Sequence, residues 1–191
     1  MCRAAEIVKC GGIIAYPTET VYGIGALATD EKAVLQVFRV KRRQESQPLS
    51  IAVSSLEMLN EVAEVEHIDF IQRFLPGPVT VILKKKPALP DGLTAGSAYV
   101  GIRFPDHPMA LDLINKTGPL VSTSANLHGE VDPVTADEVK VDVDYLLDGG
   151  RAKYAGSSTI VDLNEYKIVR KGAMYNDVVQ YMNGNEAPSK K

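Results

Sequence analysis

Apolar positions in the first half of the chain come in short bursts, and their spacing changes from burst to burst. Ala4, Ala5, Ile7 and Val8 fit a helix over the first ten residues, closed by Gly11-Gly12. Ile13-Ile14-Ala15-Tyr16 is an unbroken apolar run stopped by Pro17, the pattern of a buried strand. Asp30 is a good N-cap for a helix over 31–41, where Ala33, Val37 and Val40 make one stripe beside Val34 and Phe38. Pro48 to Ser54 reads as a second strand. Ser54 or Ser55 then caps a helix carrying Leu56, Leu59 and Val62.

After the break at Pro76-Gly77-Pro78 the pattern turns to strands. Val79 to Leu83 is rich in β-branched residues, and Ala98 to Arg103 is a strand ended by Pro105. Pro108 suits the first position of a helix with Ala110, Leu111 and Ile114 on its apolar side. Gly118-Pro119 starts a strand through Val121, and Thr135 to Glu138 reads as a capping box. Tyr145-Leu146-Leu147 runs into a turn at Asp148-Gly149-Gly150. Thr159–Leu163 and Lys167–Arg170 form a hairpin around Asn164-Glu165, and a short helix over about 174–182 follows. Helices and strands alternate early, while strands become adjacent later. The expected fold is α/β, with a twisted, mixed parallel and antiparallel sheet and flanking helices. Residues 1–182 are expected to form one domain and 183–191 a polar tail that frays.

The chain has 191 residues, of which 45% are hydrophobic and 24% charged, so a disordered chain is excluded. The net charge of −3 argues against a dedicated nucleic-acid coat, which would be basic, but leaves room for a local basic pocket. No apolar run reaches the length of a membrane helix, and no signal peptide is expected. Cys2 and Cys10 have neither redox nor zinc spacing and read as two small, buried or half-buried side chains of one helix. Without a disulfide framework the cytoplasm is the expected location.

Four segments hold more polar or positive character than a core needs. Pro17 to Gly25 follows the first strand with hydroxyls and glycines. Backbone N–H groups there could meet an anion, although an ordinary polar loop explains it equally well. Lys41-Arg42-Arg43 is either a solvated helix end or a phosphate or carboxylate clamp. Ser122-Thr123-Ser124-Ala125-Asn126 follows a strand, where open α/β sheets bind ligands; turn and capping roles are the alternative. Arg103 and Arg170 each end a strand, and Ser157-Ser158-Thr159 lies between them in sequence. His67, His107 and His128 have no metal-ligand spacing and read as surface or capping residues. Lys84-Lys85-Lys86 reads as a solvated strand end. From the residues alone, the chain is an α/β domain with a hydroxyl- and arginine-rich pocket for an anionic ligand, which small phosphorylated substrates suit.

At these same residues the sequence resembles the YrdC family. The blocks are Tyr16 to Gly25, Lys41 to Arg43 with Pro48-Leu49, Pro76 to Thr80, and Val100 to Pro105 with His107-Pro108. They continue with Gly118 to Leu120, Ser122 to Asn126, Gly156 to Ile160 and Arg170 to Gly172. They occur in family order over about residues 5 to 175. The resemblance implies a mixed α/β sheet with a large, concave, basic cavity. It also implies a nucleotidyltransferase, the single-domain form of an L-threonylcarbamoyladenylate synthase. Such an enzyme condenses L-threonine, bicarbonate or CO2, and ATP to threonylcarbamoyl-AMP and pyrophosphate. A separate transferase then moves the threonylcarbamoyl group to the adenosine beside the tRNA anticodon.

The family's KxR…SxN signature falls on Lys41, Arg43, Ser124 and Asn126. By resemblance, Lys41 and Arg43 hold the ATP phosphates and carry the catalysis. Ser124, Asn126 and Arg170 contact the nucleotide, and Gln47, Tyr99 and Asp132 occupy further nucleotide positions. Thr20, Arg103, Ser122 and Ser158 hold threonine, with Arg103 on its carboxylate. Mg²⁺ accompanies ATP, and no metal ligand is assigned. Gln44 stands where many relatives have proline, and no histidine lies near Ala52-Val53, where some relatives have one. Two other readings stand beside the synthase: an RNA-binding module whose cavity grips structured RNA, and a domain handling a carbamoyl-adenylate. Weak RNA binding is also a partner expectation.

Overall fold

The structure, a computed structural model, describes residues 1–185. Helix α1 (Cys2–Lys9) leads into β1 (Ile14–Tyr16), β2 (Gly23–Gly25) and helix α2 (Glu31–Lys41). Strand β3 (Ile51–Ala52), helices α3 (Leu56–Val62) and α4 (Ile68–Phe74), strand β4 (Val79–Lys84) and strand β5 (Tyr99–Arg103) follow. Next come α5 (Pro108–Thr117), β6 (Leu120–Val121), β7 (Thr123–Ser124) and β8 (Tyr145–Leu146). The hairpin of β9 (Thr159–Asp162) and β10 (Lys167–Arg170) precedes α6 (Tyr175–Gly184). The polar tail expected over 183–191 lies, from residue 186 on, outside the described residues. None of the described helices is long and apolar enough to cross a membrane.

The α/β class is as read, but the strands form two mixed sheets instead of one. One has the order β7-β2-β1-β8, and the other β10-β9-β4-β5-β3-β6. The chain changes sheet at Ser122. Leu120 and Val121 pair antiparallel with Ala52 and Ile51, while Thr123 and Ser124 pair with Ile24 and Gly23. The strand expected through Val121 ends there, and the chain runs on into β7 of the other sheet, so one extended segment serves two partners in turn. In the larger sheet β4 sits centrally, antiparallel to β5 and parallel to β9. Its inward Val79, Val81 and Leu83 are buried, in keeping with its β-branched composition.

A main core gathers Tyr22, Phe38, Ile51, Leu59 and Val81 between the sheets and helices. Phe70 and Phe74 of α4 stack on each other and on Tyr181 of α6. This helix, short and without a side-chain cap, has no signal that the sequence pattern offers. A second core packs Val8, Tyr16, Leu113 and Ile114 where α1 and α5 meet β1.

Other expectations change in detail. Cys2 and Cys10 are both exposed and unpaired, because the apolar face of α1 is supplied by Ala4, Ala5 and Val8. Thr135 caps no α-helix. Residues Ala136–Glu138 make a single 3-10 turn, and the Glu138 carboxylate accepts from the Val134 N–H at 2.7 Å. The strand read over Pro48 to Ser54 pairs only at Ile51–Ala52.

Helix α2 follows its signals closely. The Asp30 carboxylate accepts from the N–H groups of Lys32 at 2.9 Å and Ala33 at 3.3 Å. Losing this cap is expected to destabilise the chain by about 1 kcal/mol, so Asp30→Ala lowers the urea midpoint with an unchanged denaturant slope. At the other end Arg42 adopts the left-handed conformation (φ 50), and the Arg43 N–H turns back to the Phe38 carbonyl. That reversal sends Lys41, Arg42 and Arg43 in three directions. Lys41 is buried, Arg42 is exposed and Arg43 is half-buried.

Candidate functional site

The seam between the two sheets opens into a cavity of about 490 Å³, within the range of small-molecule sites. Its walls come from the β1–β2 loop, β4, β5, the β6–β7 crossover and the β9–β10 hairpin. Three arginines, Arg43, Arg103 and Arg170, reach it, against two carboxylates, Asp132 and Asp162. Serines and threonines supply much of the remaining polar lining. Hydroxyls both donate and accept, so such a wall can meet phosphate oxygens and substrate hydroxyls alike.

The loop after β1 is buried throughout. Thr18, Glu19 and Thr20 expose 2% or less. The Thr18 hydroxyl donates to the Val21 carbonyl at 2.7 Å, so at its 2.9 Å contact with Thr20 it accepts. The Thr20 hydroxyl is thereby left to accept from Arg103 Nη1 at 2.7 Å. Arg103 Nη2 reaches Glu19 Oε1 at 2.7 Å, a buried ion pair. A continuous chain of bonds thus runs from the end of β5 into the β1–β2 loop. Ser122, at the change of sheet, lines the same cavity.

Arg43 donates from Nε to the Gln47 carbonyl at 3.3 Å and from Nη2 to the Pro48 carbonyl at 2.9 Å. Arg170 donates to the Ser158 carbonyl at 2.9 and 3.1 Å and to the Ser158 hydroxyl at 3.1 Å. The Ser158 hydroxyl also meets Thr80 at 2.7 Å. Burial lowers the pKa of both Arg43 and Arg170 from the ordinary guanidinium value. Cations short of water in this way gain from an arriving anion.

Of the residues assigned by resemblance, Thr20, Arg43, Tyr99, Arg103, Ser122, Ser124, Asp132, Ser158 and Arg170 line the one cavity. Lys41, Gln47 and Asn126 do not. Gln47 contributes its carbonyl to Arg43. Lys41 is 1% exposed and lies beneath the lining. Its ammonium donates to the Asn126 carbonyl at 2.8 Å, to Asn126 Oδ1 at 3.1 Å and to the Ser124 carbonyl at 2.5 Å. Its three donors are all taken by the loop that carries Ser124. Asn126 passes the connection on, giving its amide to Asp132 Oδ1 at 3.1 Å, while Asp132 Oδ2 accepts from Ser157 at 2.8 Å. Desolvation first, and the nearby Arg43 charge second, lower the Lys41 pKa to about 8.

Glu19 escaped the sequence reading. Its signal was a lone carboxylate in a run of hydroxyls between a strand and two glycines, and only its partner Arg103, 84 positions away, gives it meaning. Ser50 in the lining carried no signal either, and Thr80 ended a family block without an assigned role. Among the described residues no cluster of three or more histidine, cysteine or acidic side chains is placed to hold a metal ion. Both Asp132 oxygens are occupied by Asn126 and Ser157. The three consecutive lysines are engaged on the chain itself: Lys84 with Glu64 at 2.9 Å, Lys85 with Asp91 at 2.6 Å, and Lys86 with Asn60.

Arginines and hydroxyls around a cavity at a sheet seam define an α/β protein that takes an anionic small molecule. The comparisons with known proteins give the family. The Sua5/YciO/YrdC model, described as telomere recombination, matches residues 6–172, and the chain belongs to that family. It is 42% identical over 170 residues to a putative threonylcarbamoyl-AMP synthase of Methanocaldococcus jannaschii, covering 86% of this chain and 77% of that protein. It is 37% identical over 181 residues to the threonylcarbamoyl-AMP synthase of Pyrococcus abyssi, covering 90% of this chain and 53% of that protein. The crystal structure of P. abyssi Sua5 complexed with L-threonine superposes with a TM-score of 0.87 at 35% identity, covering 93% of this chain and 56% of that one. The chain thus spans about half the length of the P. abyssi protein. HypF structures share the fold at 22% and 23% identity.

Proposed function

We propose that the chain is an L-threonylcarbamoyladenylate synthase, a nucleotidyltransferase that makes threonylcarbamoyl-AMP and pyrophosphate from L-threonine, bicarbonate or CO2, and ATP. The observation that carries this reading is three arginines around one cavity. Arg103, beside Thr20, offers a carboxylate site, and Arg43 and Arg170 offer further cations for a polyphosphate. The P. abyssi relative was crystallised with L-threonine, which supports the amino-acid side.

In this reading the threonine ammonium loses one proton to solvent, and the amine adds to CO2 and releases a second proton to become a carbamate. A carbamate oxygen attacks the α-phosphorus, the bond to the β-phosphate breaks, and pyrophosphate leaves. Two anions must approach, so the arginines act by neutralising charge and holding the partners in line. Ser122 and Ser124 line the cavity from the crossover that joins the sheets. Lys41 holds that crossover loop from below. Mg²⁺ would accompany ATP and would neutralise phosphate charge, and no residue of the chain is assigned to hold it. A cytoplasmic location and a downstream tRNA transferase go with this activity.

Pyrophosphate release by the purified chain with ATP, Mg²⁺ and bicarbonate tests the proposal. Release is expected to need both bicarbonate and L-threonine, and to fall when L-serine replaces threonine. Release indifferent to threonine overturns it. Within the same assay Arg43→Ala is expected to remove about 2–4 kcal/mol of transition-state stabilisation while leaving the melting temperature close to that of the unaltered chain. Arg43 bonds only to two carbonyls of its own loop, so the fold depends little on it.

A further inference from the structure

We propose that Glu19 is a positioning residue, which sets the orientation in which Arg103 meets the carboxylate of the amino-acid substrate. This rests on the synthase reading of the cavity. Arg103 ends β5, and a long cation at a strand end is free to swing toward water. Here it is 7% exposed and drawn across to the β1–β2 loop by two separate bonds. Thr20 accepts from Nη1 and Glu19 Oε1 accepts from Nη2, each at 2.7 Å. Two anchors on the two terminal nitrogens define both the plane and the reach of the guanidinium.

The ion pair is made at one point. Glu19 Oε2 and Arg103 Nε are both buried and both lack a partner among the described residues. A pair selected for stability alone would close as a two-bond fork and use those atoms. The single-point contact instead leaves one N–H on each terminal nitrogen uncommitted, which is the edge a carboxylate needs. Glu19 can act as an anchor because its own backbone is tied down. Its carbonyl accepts from Tyr154 N–H at 2.8 Å, and the Thr20 carbonyl accepts from Gly156 N–H at 3.3 Å. Glu19 is itself 2% exposed and does not line the cavity, so it acts through Arg103 and does not touch substrate.

Reach and charge can be separated by two substitutions. Glu19→Asp keeps the charge and shortens the side chain by one methylene, pulling the guanidinium back. Glu19→Gln keeps the reach and the accepting oxygen but leaves the buried guanidinium without a counter-charge. Calorimetric titration of L-threonine into the full chain is expected to show binding weakened about tenfold or more by E19D and by less than about threefold by E19Q. Melting temperatures are expected in the opposite order, with E19Q the less stable. Affinity for ATP stays within about threefold in both, because the nucleotide side does not depend on Glu19. Threonine affinity that follows the order of melting temperatures overturns the proposal, as does E19D binding like the unaltered chain. Failure of the unaltered chain to bind threonine refutes the synthase reading itself.

Discussion

Replacing Arg103 with alanine is expected to raise the L-threonine needed for half-maximal pyrophosphate release far more than the ATP needed. A charge-assisted hydrogen bond contributes about 1.5–3 kcal/mol, so the threonine requirement should rise roughly ten- to a hundredfold. The same change strands the Glu19 carboxylate in a buried site. The variant will therefore also lose stability. Arg103→Lys separates the two effects. Lysine keeps a positive charge beside Glu19 but is a point donor that cannot span Thr20, Glu19 and a ligand together. It should restore much of the melting temperature and little of the threonine affinity. Steady-state rates at varied threonine and varied ATP check this. An equal rise in both requirements would show that Arg103 does not belong to the amino-acid side.

Lys41→Met is expected to cost about 2–4 kcal/mol of transition-state stabilisation, with a much smaller change in stability. The ammonium holds the Ser124 and Asn126 carbonyls and the Asn126 side chain, so its removal frees the loop that joins the two halves of the cavity. The folding balance moves less, because the cost of burying a charge disappears along with the bonds. Both turnover and thermal unfolding should be measured on the variant. A large loss of stability with normal turnover would refute the positioning role.

The pH dependence gives an independent check. Burial lowers the Lys41 pKa from 10.5 to about 8. Between these values the unfolded chain holds the proton and the folded chain does not, so this group makes stability rise with pH from about 8 upward. Turnover should move the other way. A neutral amine has only two N–H groups for three acceptors, so activity should fall as pH passes about 8. The rise in stability should be absent from the Lys41→Met variant.

Much of the architecture was legible residue by residue. Asp30 caps α2 as its side chain and spacing dictate, Pro108 opens α5, and the β-branched run from Val79 becomes the central strand. These features depend on neighbours within one turn or one strand. Helix α4 was not legible, because it has no cap and its Phe70 and Phe74 find their partner in Tyr181 of a distant helix. The second sheet was not legible either. Strands of two or three residues carry too little pattern to show which edge they will join.

The ordered blocks from Tyr16 to Gly172 were enough to point to the family, and seven of the nine assigned residues that line the cavity lie in them. Residue type and order along the chain are local properties, so the sequence by itself determined the class of fold and the kind of ligand. The role of each residue was settled only by the tertiary structure. Lys41 and Arg43 are two positions apart, yet the left-handed turn at Arg42 sends one under the site and the other into it. Glu19 and Arg103 are far apart in the chain, yet the fold brings them together as one buried ion pair. Hydrogen bonds and desolvation act through space, and the spatial neighbours of a side chain exist only once the sheets have closed around it.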